Sequence, residues 1–249
     1  MLKQPLSLVA VLLALFMYGH SQAAISLNAT RVVFEGDKKE AGVTVRNLGN
    51  EELLVQSWLD DGSELPKSIP FAITPPLAHM SGKSRQVLRV LFQGSGVPID
   101  RESVFWINVQ EVPKVSETEN VLQLAIRQRI KLFYRPVGLA GSVEAAPAEL
   151  NWQVVSREYG DVIRVSNPTK FHVSMTDLKI EAGNYTSSPV NSFMVAPGAD
   201  YEVALNKMPS SGSMMLNVNI INDFGGKVLY GAPVLQGIFK LQNKYIKEQ

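Results

Sequence analysis

Apolar and polar positions alternate along most of the chain, in short runs rich in Val, Ile, Leu, Phe and Tyr. Almost no stretch holds a 3.6-residue apolar period over three turns, so the pattern predicts strands rather than helices. In the first half it predicts strands near 25–34, 41–47, 52–60, 70–74, 85–93, 103–112 and 120–134. Gly36-Asp37, Leu48-Gly49-Asn50, Asp60-Asp61-Gly62, Pro75-Pro76 and Gly94-Ser95-Gly96 supply the breaks. In the second half it predicts strands near 149–155, 161–167, 171–180, 192–196, 201–206, 213–221 and 227–238. Seven short strands in ~110 residues is the count of an immunoglobulin-like sandwich. The expectation is therefore an all-β fold of two immunoglobulin-like β-sandwich domains. Val137 to Ser142 is small and Gly-containing, and Ala145-Ala146-Pro147-Ala148 follows, so a linker is expected after Pro136. The domains would span 24–138 and 139–249.

The first 23 residues stand apart from this pattern. Lys3 precedes an unbroken apolar run from Leu8 to Met17, and Ser21-Gln22-Ala23 has the small residues of a signal-peptidase site. Ten apolar residues fall short of the ~20 that a transmembrane helix needs. The segment therefore reads as a secretory signal, and no membrane insertion of the mature chain is expected. Its removal takes away Lys3 and leaves 23 residues of each charge. A neutral chain without a basic block gives no support to nucleic-acid binding. The chain has no Cys, which excludes thiol catalysis, Cys-ligated zinc and disulfides.

One predicted strand offers more than a core needs. Along Asn120 to Lys131, Leu122, Leu124, Ile126 and Ile130 share a face, while Arg127, Arg129 and Lys131 lie on the other. One reading is a strand with one side on its own core and one in water. The other is an edge strand whose Leu/Ile row is lent to a partner, since unpaired edges recruit other strands.

Further segments resemble the periplasmic pilus-assembly chaperones, the PapD-like family. The signature is Ile99-Asp100-Arg101-Glu102-Ser103-Val104-Phe105-Trp106-Ile107-Asn108-Val109-Gln110-Glu111-Val112-Pro113. Asn120 to Ile126 and Ile130-Lys131-Leu132-Phe133-Tyr134-Arg135-Pro136 continue it. Thr30 to Phe34, Thr74-Pro75-Pro76, Ser166-Asn167-Pro168-Thr169 and Ile221-Asn222-Asp223-Phe224-Gly225-Gly226 are similar as well. The resemblance implies two immunoglobulin-like domains in a boomerang around a cleft. It also implies a periplasmic protein that binds pilus (fimbrial) subunits, stabilises them by donor-strand complementation and passes them to an outer-membrane usher. By the same resemblance, Leu122, Leu124 and Ile126 fill the subunit's groove, and Arg31 and Lys131 anchor the subunit's C-terminal carboxylate. Arg89, Glu102 and Asp223 match an interdomain charge network. Lys131 lies five residues beyond Ile126, about 17 Å along an extended strand, and strict alternation puts it on the face opposite Leu122. The short segment Lys114 to Glu119 resembles the family's short-loop class, which serves rod-like pili.

Two other classes compete. Against an enzyme, there is no nucleophile motif, metal-ligand spacing or phosphate loop. His79 and His172 read as surface or partly packed residues, so no cofactor and no metal are expected. A secreted tandem immunoglobulin-like adhesion or structural protein would share the fold. It would need neither the paired cations nor the Leu/Ile row.

Overall fold

A computed structural model describes residues 25–64, 68–112, 124–158, 160–183, 185–205 and 213–244. The expected signal segment, the Lys114–Glu119 loop and Leu122 lie outside the described residues.

The first sandwich is built from β1 (Ile25–Leu27), β2 (Arg31–Glu35), β3 (Glu40–Asn47), β4 (Leu53–Asp60), β5 (Phe71–Thr74), β6 (Leu77–Met80), β7 (Arg85–Phe92), β8 (Ser103–Val112) and β9 (Arg127–Arg135). One sheet has the order β1-β3-β7-β5 and the other β2-β9-β8-β4-β6. Alternation decides which side chains enter the core. Val43 and Val45 of β3 and Leu88 and Val90 of β7 face Val55, Ile107, Val109 and Leu132 of the second sheet, all fully or almost fully buried. One end of this core is aromatic. Phe71 stacks on Phe92 at 4.8 Å between ring centroids, and Tyr134 lies 4.6 Å from Phe92.

Two departures from the predicted strands matter. The strand expected over 25–34 is two strands in different sheets. β1 pairs with β3, and β2 crosses over to run parallel to β9. Asn28 makes the crossing: its amide donates to the Thr44 carbonyl at 3.1 Å and its side-chain oxygen accepts from the Thr44 amide at 2.7 Å. Beyond the expected Pro75-Pro76 break, β6 is a strand the pattern does not predict: it pairs with β4, while β5 pairs with β7.

The second sandwich begins with a four-residue helix, α1 (Ala146–Glu149), inside the stretch that reads as linker. Ala146 is fully buried in the second core, and Leu139 and Val143 pack on it, so this small-residue segment is partly core. The strands are β10 (Asn151–Arg157), β11 (Gly160–Ser166), β12 (Val173–Ala182), β13 (Tyr185–Ser187), β14 (Ser192–Val195), β15 (Asp200–Ala204), β16 (Met215–Ile221), β17 (Lys227–Pro233), β18 (Ile238–Phe239) and β19 (Gln242–Asn243). They form a sheet of order β15-β11-β10-β18 and a sheet of order β13-β12-β16-β17-β19, with β14 also on β12. Trp152, Ile163, Met175, Leu178 and Leu216 are fully buried between them. Among the described residues no helix is long and apolar enough to cross a membrane.

The two domains meet where β2 and β9 face the β16–β17 hairpin. Gly225, in its tip, has φ +82°, and a Cβ there would lie 2.3 Å from Thr30 Oγ1. Glycine is required on both counts, by the left-handed backbone and by the close approach.

Candidate functional site

The site grows out of the parallel pairing of β2 with β9. Its register sets Arg31 beside Lys131, Val33 beside Phe133 and Glu35 beside Arg135. Val32, Phe34, Leu132 and Tyr134 turn into the first core, so alternation turns the other three pairs toward the second domain. That face carries a cation pair, then an apolar pair, then an ion pair.

The cation pair is flanked on both sides. Lys131 Nζ donates to Ser174 Oγ at 3.3 Å, and Arg31 Nη1 donates to the Ile221 carbonyl at 3.0 Å. Both acceptors belong to the second domain. Across β8, Trp106 is paired with Lys131, and Arg129 stacks over its ring at 4.4 Å. Arg129 is held by Asp60 at 2.6 Å. Neither Arg31 nor Lys131 has an ion-pair partner among the described residues, and Arg31 Nε is buried without a hydrogen bond.

Burial is the larger cause that pushes the Lys131 ammonium down, from 10.5 to about 8, and the charge of Arg31 adds to it. Burial also lowers the Arg31 guanidinium, against the opposing charges of Asp223 and Glu102. Two half-buried like charges with unspent donors repel each other, and an anion of carboxylate size between them would offset that repulsion. Charge-assisted bonds to such an anion are about twice as strong as neutral ones.

The ion pair ends in a network that crosses between the domains. Arg135 binds Glu102 at 2.9 Å, Asp223 at 2.9 Å and Glu35 at 3.3 Å. Burial opposes its charge, but hydrogen bonds and charge from Asp223 and Glu102 outweigh it and raise its pKa. Glu102 is itself 3% exposed and also accepts from the His172 amide at 2.8 Å, with His172 Nδ1 at 3.0 Å.

The structure thus brings together Arg31, Lys131, Glu102 and Asp223. It does not bring Arg89 to them. Arg89 lies on β7 in the other sheet of the first sandwich, exposed and 3.5 Å from Glu40. Arg135 takes the place expected for Arg89, because its parity along β9 matches that of Lys131 and Phe133. His172, which reads from the sequence as a surface or partly packed residue, is buried at the seam.

Of the apolar row, Leu124 is 68% exposed and Ile126 is 38% exposed, just before the start of β9. The Ile126 carbonyl accepts from the Glu111 amide at 3.2 Å, so this segment still follows β8. Ile130 instead lies in the core of the first domain. On its other side β9 is paired with β2 only from Lys131 to Arg135. Among the described residues, Arg127 to Ile130 therefore present an edge with no strand beside it, ending at the two cations. Gln128 crosses to the Ile25 carbonyl at 2.8 Å on the core side. No group of three or more His, Asp or Glu is placed to hold a metal among the described residues.

Comparison with known proteins finds matches to both domains. Residues 24–140 match the family described as "Pili and flagellar-assembly chaperone, PapD N-terminal domain", and residues 145–231 match "Pili assembly chaperone PapD, C-terminal domain". The chain is 40% identical over 219 residues to the Escherichia coli K12 protein named "Probable fimbrial chaperone YadV", covering 84% of this chain and 89% of that one. The crystal structure of the YadV chaperone superposes with a TM-score of 0.73 at 39% identity, over 85% of this chain and all of that one. A chain from the structure of the Salmonella enterica SafA pilin in complex with the SafB chaperone gives a TM-score of 0.70 at 28% identity. It covers 89% of this chain and 98% of that chain.

Proposed function

Because the chain belongs to the PapD family of pilus-assembly chaperones, we propose that it holds a pilus subunit along the open edge of β9 and grips the subunit's C-terminal carboxylate between Arg31 and Lys131. In this reading it is a binding protein of the periplasm, reached through a cleaved leader over Met1 to Ala23. It stabilises fimbrial subunits by donor-strand complementation and delivers them to the outer-membrane usher. Main-chain bonds from Arg127 to Ile130 would give affinity, and the carboxylate would set register. Leu122, Leu124 and Ile126 would enter the subunit's groove, each contributing ~1.5–3 kcal/mol when fully buried.

The observation that carries this reading is a strand edge, unpaired among the described residues, that stops at two half-buried cations with no counter-ion among those residues. The exposure of Leu124 and Ile126 supports it. The Arg135 network supports a role for Glu102 and Asp223 in holding the domains at one angle, so that Ser174 and Ile221 stay beside the cations.

Co-expression with the pilus subunits encoded beside the gene, followed by native mass spectrometry of the periplasmic fraction, tests the proposal. A one-to-one complex is expected for the unmodified chain and none for Lys131→Met. Equal recovery of the complex with Lys131→Met would overturn the anchor.

A further inference from the structure

A cavity of about 370 Å³ opens between the domains beside the cation pair. Phe133, Val173, Ile220, Val228 and Tyr230 are among the residues of its apolar walls. Arg31 and Ser174 also line it, and Ser174 is the group that receives the hydrogen bond from Lys131. The cavity therefore begins where a carboxylate on the cation pair would end. Pockets for small molecules span ~300–1,000 Å³, so this one lies near the lower limit. It has room for one or two side chains and not for an extended strand.

Its remaining charged lining is acidic: Glu102, Glu144 and Asp223. Glu102 and Asp223 are already paired with Arg135, and His172, which also lines the cavity, is taken up by Glu102 at 3.0 Å, so among the described residues no lining cation besides Arg31 is left to receive a second negative charge. An acidic side chain entering here would lose its hydration beside like charges. An apolar one would gain burial against the apolar walls.

We propose that the cavity receives the side chain of the subunit's C-terminal residue and selects a large apolar one over a small or acidic one. The proposal rests on the reading of Arg31 and Lys131 as the carboxylate anchor. The terminal carboxylate and the terminal side chain leave the same Cα. Holding the carboxylate between Arg31 and Lys131 therefore brings that side chain to the cavity. Selection would act on the last residue of the subunit alone, independently of the row of side chains that meets the β9 edge.

The test is isothermal titration calorimetry of the mature chain at pH 7 with a set of synthetic peptides. Each carries two N-terminal Lys for solubility, six alternating Thr and Val residues, and a variable last residue. The endings are Phe, Gly and Asp as free acids, and Phe as the amide. The Phe acid is expected to bind about tenfold or more tightly than the Gly acid, and the Asp acid more weakly than the Gly acid. The Phe amide is expected to bind more weakly than the Phe acid. Val228→Phe narrows the cavity from a half-buried position and should abolish the preference for Phe while leaving the Gly acid unchanged within about twofold. Equal affinities for the Phe and Gly acids, with the amide still weaker, would overturn the cavity proposal and leave the anchor standing. Equal affinities for the Phe acid and its amide would remove the anchor, and the proposal with it. The peptide series on the unmodified chain decides the matter even if Val228→Phe fails to fold.

Discussion

Replacing Lys131 with Met should make the free protein more stable while destroying its capacity to hold a subunit. The folded chain holds the Lys131 ammonium at about 8, against 10.5 for an unperturbed lysine. At 1.36 kcal/mol per pH unit this corresponds to about 3 kcal/mol of destabilisation by the charged form. Lys131 is only partly buried, so solvent screening reduces the figure to about 1–2 kcal/mol. The substitution also removes a 3.3 Å hydrogen bond to Ser174 and a 5.8 Å approach to the Trp106 ring. Both are at the long end of their ranges, and together they offset about half of the gain. The net expectation is a gain on the order of 1 kcal/mol at pH 7, or a rise in Tm of about 4 °C for a domain of this size. The pH dependence has a definite sign. Below about 8 the group is charged in both folded and unfolded chains, and the penalty is complete. From about 8 to 10.5 only the unfolded chain keeps the proton, so wild-type stability rises with pH and the gap to Lys131→Met closes. Urea melts of both proteins between pH 7 and 10.5 measure this directly. Equal or lower stability of Lys131→Met at pH 7, or a gap that does not close with rising pH, would refute the reasoning.

The remaining predictions concern the network and the apolar row. Arg135→Leu leaves Glu102 buried without its cation, with a side chain 2% exposed, and should cost about 3–5 kcal/mol in chemical unfolding. The double variant Arg135→Leu with Glu102→Leu should recover much of that loss, and a cost below about 1 kcal/mol for the single variant would show that the network is dispensable. Leu124→Glu changes a residue that is 68% exposed, so the free protein should keep its stability within about 0.5 kcal/mol. Subunit capture should fall sharply, because the carboxylate would have to enter an apolar groove unpaired; wild-type capture by this variant would show that the segment is not inserted.

Much of this architecture is legible in the sequence because strands have a period of two. The parity of Leu132 and Tyr134 against Lys131 and Phe133 is enough to separate core from cleft. Arg135 shares that cleft parity, so its place in the network could have been found by counting along β9. Arg89 could not have been excluded in that way. Its strand alternates as cleanly as β9, and only sheet membership shows that it points away from the second domain. The division of 25–34 into β1 and β2 depends on pairing with β3 and β9, which lie far away in the chain, and local propensity carries no trace of it. The burial of His172 has the same origin, since its partner Glu102 lies 70 positions earlier. The cavity beside Arg31 is assembled from β9, β12, β16 and β17, and no single segment announces it.

On the proposed reading, the parallel partnership of β2 with β9 is an end stop. It closes the sheet from Lys131 onward and, among the described residues, leaves it open before that point. On the reading proposed above, a visiting strand can advance only until its terminus meets Arg31, so its alignment is measured from its own last residue. Because strand side chains alternate, one residue appended to a subunit's end would turn its whole inward row outward. The holder would then reject its guest with every groove-facing side chain still present in the sequence. Measuring from the end also frees the rest of the guest strand to vary. Subunits with different sequences could share one holder, provided their apolar positions keep the same odd or even count from the terminus.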